Sequence, residues 1–483
     1  MWKYIFSFLI SIFVVSEPLK LEADELQEKI NKIITESPYS NAIWSLSIKD
    51  EKGNTLLDLD SYKLMIPASN MKLLSSATVL KTLGPNFRYS TKIVSKGKMS
   101  GNVWYGDIYI IGSGDPSING DFYGNQKDYV FENFLTQLKL KGIKRIEGNL
   151  IANDAYFEDE NLLADDWVCS DLSFYYAVET SSLAFNKNCI DLTVTSKAGE
   201  KKPKVQWYPR NTNFVSISNE QSIAPNGTFE NSKLYRKLGT NEIVLKGSMQ
   251  KGLEISESIS ITNPSLFFAD SLQKYLSANG LAFNGKVMLD HLPRIWNSDY
   301  ELLASYQSPQ LSELLKRVNK HSDNFYAEML LKTAATEATG KRGSLESGLK
   351  LVKDYSDELE LTPKDMSLHD ASGLSKENLL TTQMLTDLLV KMKDQPNFQY
   401  YEASLAVPQE DGSLRKRFQD SPVQSHFIGK TGYVNGVRAL SGYMTAKSGQ
   451  EIVVSLITNH FIGDIHTIDE VHEKIYGTIY ETL

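Results

Sequence analysis

Cysteine is nearly missing from this chain: among 483 residues only Cys169 and Cys189 occur. A fold stapled by several disulfides is therefore excluded. The two thiols can bridge each other in an oxidising compartment or stand as separate buried groups, and the sequence leaves both readings open. Neither has a histidine beside it in the chain, so nothing suggests an activated thiolate. Long apolar runs are also scarce. The one candidate, Tyr4 to Val15 behind Lys3, has 12 residues, short of the ~20 that cross a bilayer. With the small-residue signal Val14-x-Ser16 after it, it reads as a secretory leader over residues 1–16. No cysteine follows it, which removes a lipoprotein anchor, and no stable membrane anchor is expected. Long basic runs are absent and the net charge is -8, which argues against a nucleic-acid partner and against a polybasic membrane patch. There is no His-Glu-x-x-His, His466 and His472 lack i, i+4 spacing, and Gly112-Ser113-Gly114 is a turn and not a nucleophile elbow. No metal or other cofactor is implied.

What is present is a globular composition, 41% hydrophobic and 23% charged, in a chain long enough for more than one domain. From Asn41 to Asp60 apolar and polar residues alternate around Glu51-Lys52-Gly53-Asn54, the pattern of a β-hairpin. After Pro67, the residues Met71, Leu74, Val79 and Leu83 keep helical spacing up to Gly84-Pro85, which places Ser69 at a helix N-terminus. Short alternating runs then dominate from Arg88 to Thr262. Helical patterns return through PSLFFADSLQKYLSANG, QLSELLKRVNKHSDNFYAEMLLKTAATEATG, SLESGLKLVKDYSDEL and LTTQMLTDLLVKMKD. The end is sheet again (SHFIGKTGYV, VRALSGYMTAK, EIVVSLITN), closed by an amphipathic helix from Ile468. The expected architecture is α+β: a discontinuous domain from 24–87 and 263–483, with its sheet drawn from both chain ends, interrupted by a β-rich insertion over 88–262.

Three short motifs carry chemistry. In Ser69-Asn70-Met71-Lys72 the three-residue spacing puts hydroxyl and amine on one helical face, where a lysine kept neutral by burial can take the serine proton. Ser322-Asp323-Asn324 stands before an apolar helix, and Lys430-Thr431-Gly432 on a strand ahead of a second strand. Each alone is common, since the second is also a plausible helix cap and the third a strand with a bulge glycine. Together and in order they match the penicillin-recognising set. Peptide acyl transfer assigns Ser69 the attack, Lys72 the general base, Ser322 a proton relay to the leaving amine and Asn324 a hold on the acyl-side backbone. Lys430 and Thr431 would receive a terminal carboxylate, and Gly432 lets substrate approach the strand. The backbone N–H groups of Ser69 and Tyr433 form the natural oxyanion pair.

The chain resembles the class C, low-molecular-mass penicillin-binding proteins, the PBP4-like D-alanyl-D-alanine carboxypeptidase/endopeptidase family. The stretches that carry the likeness are PASNMKLL, GSGDP, DLSFYYAVETSSLAFNKN, HSDNFYAEMLL, DASGLS and GKTGYVNGVRALSGY, in the family's order over nearly all of the mature chain. The likeness implies a transpeptidase/β-lactamase-like domain, an antiparallel sheet flanked by helices, with a large β-rich insertion. It implies peptidoglycan stem peptides and β-lactam antibiotics as partners, and a location on the outer side of a bacterial cytoplasmic membrane. It further implies Asp171 as an acidic group facing the amino end of the peptide side chain and Leu374 as an apolar wall of the cleft. Leu374 reads equally well as a core leucine in a tight turn. One departure stands out: the family commonly has Thr or Ser after Lys-Thr-Gly, and this chain has Tyr433. No Glu-x-x-x-Asn pattern follows Asn324, so the general base of a rapid class A β-lactamase is missing.

Overall fold

The computed structural model describes residues 24–158, 162–197, 199–210, 212–224, 233–293, 296–361 and 366–483. The leader expected over 1–16 lies outside them. Among the described residues no helix is long and apolar enough to cross a membrane. The described residues divide into two compact units, one made of those within 24–81, 315–323 and 350–483, the other of those within 82–314 and 324–349.

The first unit is built on a five-stranded antiparallel sheet in the order β2-β1-β5-β4-β3, with β1 Ile43–Asp50, β2 Thr55–Leu59, β3 Phe427–Val434, β4 Val437–Thr445 and β5 Glu451–Asn459. The two chain ends thus share one sheet. Register is continuous from Ile43 opposite Asn459 to Asp50 opposite Ile452, and from Val437 opposite Asn459 to Thr445 opposite Glu451. Helices α1 (Met71–Leu83), α2 (Thr382–Lys393) and α3 (Ile465–Thr482) complete the frame.

The alternation that marks β1 does not separate core from solvent. Trp44, Leu46 and Ile48 enter the core that also holds Ile468, Ile475 and Tyr476 of α3. Ser45, Ser47 and Lys49 are buried as well, because the opposite face is covered by α2. Ser45 bonds Thr382 at 2.7 Å, Ser47 bonds Thr386 at 2.9 Å, and Lys49 pairs with Asp387. Small hydroxyl residues let helix and sheet approach while every polar atom keeps a partner. Helix α1 likewise exceeds its expected single apolar face: every residue from Met71 to Leu80 is buried, as in a helix enclosed on all sides.

The second unit is rich in strands. It holds a five-stranded sheet (Val287–Asp290, Leu150–Asn153, Ile108–Ile111, Ser90–Ser95, Glu301–Gln307) and a four-stranded one (Ala282–Asn284, Arg145–Glu147, Val103–Tyr105, Lys98–Ser100), with smaller sheets from strands between Cys189 and Ser260. Two differences from the expected 88–262 insertion have a physical cause. Residues 263–314 cluster with this unit because the helix Pro264–Ala278 drives Phe267, Phe268, Leu272 and Leu276 into its core. Within the expected β-rich span lies a helix, Tyr129–Leu140, whose Val130, Phe131, Phe134, Leu135 and Leu138 form its buried stripe.

Candidate active site

Ser69 sits in a single 3-10 turn, Ala68–Asn70, that feeds into α1. Ala68 has φ of 46° although it carries a Cβ, a conformation that costs ~1–2 kcal/mol and persists only under surrounding constraint. The constraint is visible. Asn70 is fully buried and its amide donates to Ser441 Oγ on β4 at 2.6 Å. From the other side the loop Asp370 to Ser375 presses on the turn: the Asp370 carboxylate accepts the N–H groups of Gly373 and Ser375, both at 2.6 Å, and Asn378 Nδ2 at 2.8 Å. That loop delivers two carbonyls to α1, Ala371 to Ser75 Oγ at 2.7 Å and Ser372 to Lys72 Nζ at 2.6 Å.

Lys72 has no solvent-accessible surface, and its Nζ lies 2.8 Å from Ser69 Oγ. Lys430 is equally buried, with Nζ 2.8 Å from both Ser322 Oγ and the Thr431 carbonyl. Its pKa is pushed well below the ordinary lysine value, first by burial and then by the basic side chains of Lys72 and Arg438 beside it. Among the described residues both hydrogen-bond partners of Lys430 are neutral oxygens, so its amine has no carboxylate bonded to it there. Ser322 takes φ of 58°, a second non-glycine residue held in the left-handed region beside this chemistry.

The edge position of β3 decides which backbone groups are exposed. Gly429 exchanges both main-chain bonds with Ala406, each at 3.0 Å, so its N–H and C=O point away from β4. With the period of two along a strand, the N–H and C=O of Thr431 and Tyr433 face that same edge. Thr431 Oγ1 donates to Ser413 Oγ at 2.7 Å. Gly432 packs on the nucleophile turn: a Cβ there would meet the Pro67 carbonyl at 2.9 Å and Ala68 Cβ at 3.2 Å. Behind the strand, Arg438 donates to the Gly432 carbonyl at 3.1 Å and is itself held by Asp469.

Ser69, Lys72, Ser322, Lys430, Thr431, Gly432, Tyr433 and Leu374 all belong to the first unit. Tyr433 is 49% exposed and Leu374 is half-buried next to Gly373. Asn324 opens the helix Asn324–Thr339 in the second unit, where its amide donates to the Tyr176 carbonyl at 2.9 Å. Asp171 also lies there, half-buried, accepting from the Tyr176 hydroxyl at 3.3 Å. Burial and that carboxylate push the Tyr176 phenol up to about 12. His321 is exposed, and His369 shares a hydrogen bond with Ser367 at 2.9 Å. Cys169 and Cys189 are not bridged to each other; the first is exposed and the second buried. Ser413, Arg438 and Ser441 join the site only through the fold. The sequence flags none of them, apart from the presence of Arg438 and Ser441 in the last matching stretch.

A serine hydroxyl bonded to an enclosed amine, in a turn packed on a strand whose outer edge carries the N–H groups of Thr431 and Tyr433, is an arrangement for nucleophilic acyl transfer. The comparisons make it specific. The family model described as "D-Ala-D-Ala carboxypeptidase 3 (S13) family" matches residues 26–474, and the chain belongs to that family of serine-type peptidases. It is 28% identical, over 91% of its length and 82% of the relative's, to a D-alanyl-D-alanine carboxypeptidase of Actinomadura sp. (strain R39). The fold matches crystal structures of penicillin binding protein 4 from Haemophilus influenzae, one with a TM-score of 0.81 at 23% identity covering 94% and 99% of the two chains. Another, complexed with a β-lactam, has a TM-score of 0.77 at 21% identity with the same coverage. The α+β fold expected from the sequence is the fold found, and it is that of penicillin binding protein 4.

Proposed function

We propose that this carboxypeptidase acts on peptidoglycan outside the cytoplasmic membrane, removing terminal D-alanine from stem peptides and splitting D-alanyl cross-links through one acyl-enzyme on Ser69. The observation that carries the proposal is the 2.8 Å contact between Ser69 Oγ and the wholly buried Lys72 amine. In the acylation step the Ser69 oxygen bonds to the scissile carbonyl carbon as the carbon to nitrogen bond breaks. The hydroxyl proton passes to Lys72, and the leaving amine takes a proton through Ser322, which Lys430 holds by hydrogen bond. The oxyanion meets the N–H groups of Ser69 and Tyr433. Asn324 orients the acyl-side backbone and Gly432 leaves it room. Water then hydrolyses the ester.

Lys430 and Thr431 receive the substrate's terminal carboxylate. Burial without a counter-charge disfavours the ammonium form in the empty site, and the arriving carboxylate supplies the missing partner, so binding and protonation of Lys430 reinforce each other. Tyr433 moves the hydroxyl that Thr or Ser would offer to this carboxylate from Cβ to the far end of a ring, and leaves the backbone donor intact. In this reading Asp171 meets the amino end of the stem-peptide side chain and Leu374 lines the cleft. A β-lactam offers the same amide and carboxylate, so penicillin is expected to form a lasting ester on Ser69. Labelled penicillin followed by peptide mapping tests this. The label should sit on the peptide containing Ser69, and Ser69→Ala or Lys72→Ala should lose essentially all labelling and all release of D-alanine, because the two act as a unit. Release of the label within seconds would instead favour a β-lactamase, and no label on folded protein a non-catalytic binder.

A further inference from the structure

The two cavities on either side of Tyr208 lie wholly in the second unit and include none of the residues assigned to catalysis. The larger has a volume of about 650 Å³ and the smaller about 340 Å³. They share Asp128, Tyr208, Arg210 and Tyr275 as walls, so they form one groove with a Tyr208 ridge. The ridge is fixed: the Tyr208 hydroxyl donates to Asp128, and Lys127 lies 5.1 Å from the ring centroid while pairing with Asp191. Asp191 is further tied by Ser258 and Asn186.

The lining identifies the ligand chemistry. The walls carry three cations, Lys127, Arg210 and Lys274, and three carboxylates, Asp128, Glu132 and Asp191, which selects against a strongly charged ligand. Tyr129 is 39% exposed; one face of its ring stacks on Tyr123 at 4.4 Å and 6°, leaving the other for a ligand. Tyr275 gives a second ring, and the exposed amides of Asn125, Gln126 and Gln206 each offer both a donor and an acceptor. In the smaller cavity Ser271 is 5% exposed and, among the described residues, its hydroxyl has no hydrogen-bond partner, a buried polar group of the kind that calls for one. Flat rings alternating with neutral two-way hydrogen-bonding groups suit pyranose sugars, whose C–H faces lie on the electron-rich face of an aromatic ring while their hydroxyls both donate and accept.

We propose that this groove binds a neutral saccharide chain, with sugar rings laid on Tyr129 and Tyr275 either side of the Tyr208 ridge. The identity of that chain as the amino-sugar backbone of peptidoglycan rests on the function proposed above. The test uses the full protein with two probes, peptidoglycan glycan strands freed of peptide and with each lactyl carboxyl capped as its amide, so that the chain stays neutral as it is where a peptide is attached, and the tetramer of N-acetylglucosamine, followed by titration calorimetry. Binding of the glycan strands is expected, weakened at least about tenfold in Tyr129→Ala and in Tyr275→Ala. Release of D-alanine from a short soluble peptide should be unchanged in both variants, which shows that they are folded. Glycan binding by a protein without peptidase activity would sink the enzymatic reading and leave the groove standing. No binding of either probe by an active enzyme, or binding that both variants retain in full, would overturn the groove. Binding of the tetramer alone would keep the saccharide site and reject its assignment to peptidoglycan.

Discussion

Gly373→Ala isolates the clamp that shapes the nucleophile turn. Gly373 has φ of 80°, and a Cβ there would stand 1.8 Å from the Ala68 carbonyl oxygen and 2.4 Å from its carbon. Real Cβ contacts do not fall below 3.0 Å, so the overlap is about 1.2 Å (3.0 less 1.8) and the obstacle is backbone. Two costs follow: ~1–2 kcal/mol for alanine in the left-handed region and ~1–3 kcal/mol for overpacking. Ala68 precedes Ser69, so relief of the clash displaces the nucleophile, and an error of about 1 Å costs on the order of 10²-fold in rate. Gly449→Ala is the control. It has φ of 90° in the turn between β4 and β5 with nothing within 4 Å of the added methyl, so it carries the conformational cost alone. Calorimetry should show roughly 2–8 °C of destabilisation for Gly449→Ala and up to about 20 °C for Gly373→Ala. Stopped-flow acylation by a fluorescent penicillin should fall about 100-fold only in Gly373→Ala. A folded Gly373→Ala that acylates within about twofold of wild type would refute the argument that this loop positions Ser69.

Two further tests address charge and thiols. Burial of Lys430 penalises its charged form in full below its folded pKa. The penalty fades as pH climbs from there toward the ordinary 10.5 and is gone above it. The melting temperature of Lys430→Met relative to wild type should therefore fall as pH climbs toward ~10, a trend that differential scanning fluorimetry resolves; a flat difference would contradict the depressed pKa. Cys169 is exposed and Cys189 buried, so a maleimide should label only Cys169 in the native protein and both after unfolding, as intact-mass measurement will show. Failure to label the unfolded protein twice without reductant would mean a disulfide.

Legibility in the sequence followed the range of the interactions. The strands around Lys430 and the hairpin from Ile43 were readable because alternation is local. The pairing of Ser69 with Lys72 was readable because one helical turn sets it. The helix Tyr129–Leu140 was hidden among short alternating runs, although its apolar residues keep a helical stripe. Ser413, which accepts from Thr431, and Arg438, which holds the Gly432 carbonyl, are ordinary residues until folding brings them to the strand. The polar side of β1 was misleading for a related reason: serines every second residue look like a wet face, and only the arrival of Thr382 and Thr386 from far along the chain makes them interior.

Those serines act as an address more than as adhesive. A net hydrogen bond between hydroxyls contributes only ~1 kcal/mol, yet a buried hydroxyl left without its mate costs ~1–3 kcal/mol. Slipping β1 by one residue would turn Leu46 and Ile48 toward Thr382 and Thr386 and drive Ser45 and Ser47 into the apolar core. The misplaced alignment is thereby taxed on both faces. An N-terminal segment that must find β5, more than 390 residues away in the chain, thus carries the code that rejects the neighbouring register. Exchanging Ser47 and Thr386 together for apolar residues of like shape would leave the sheet nearly as stable while erasing part of that code.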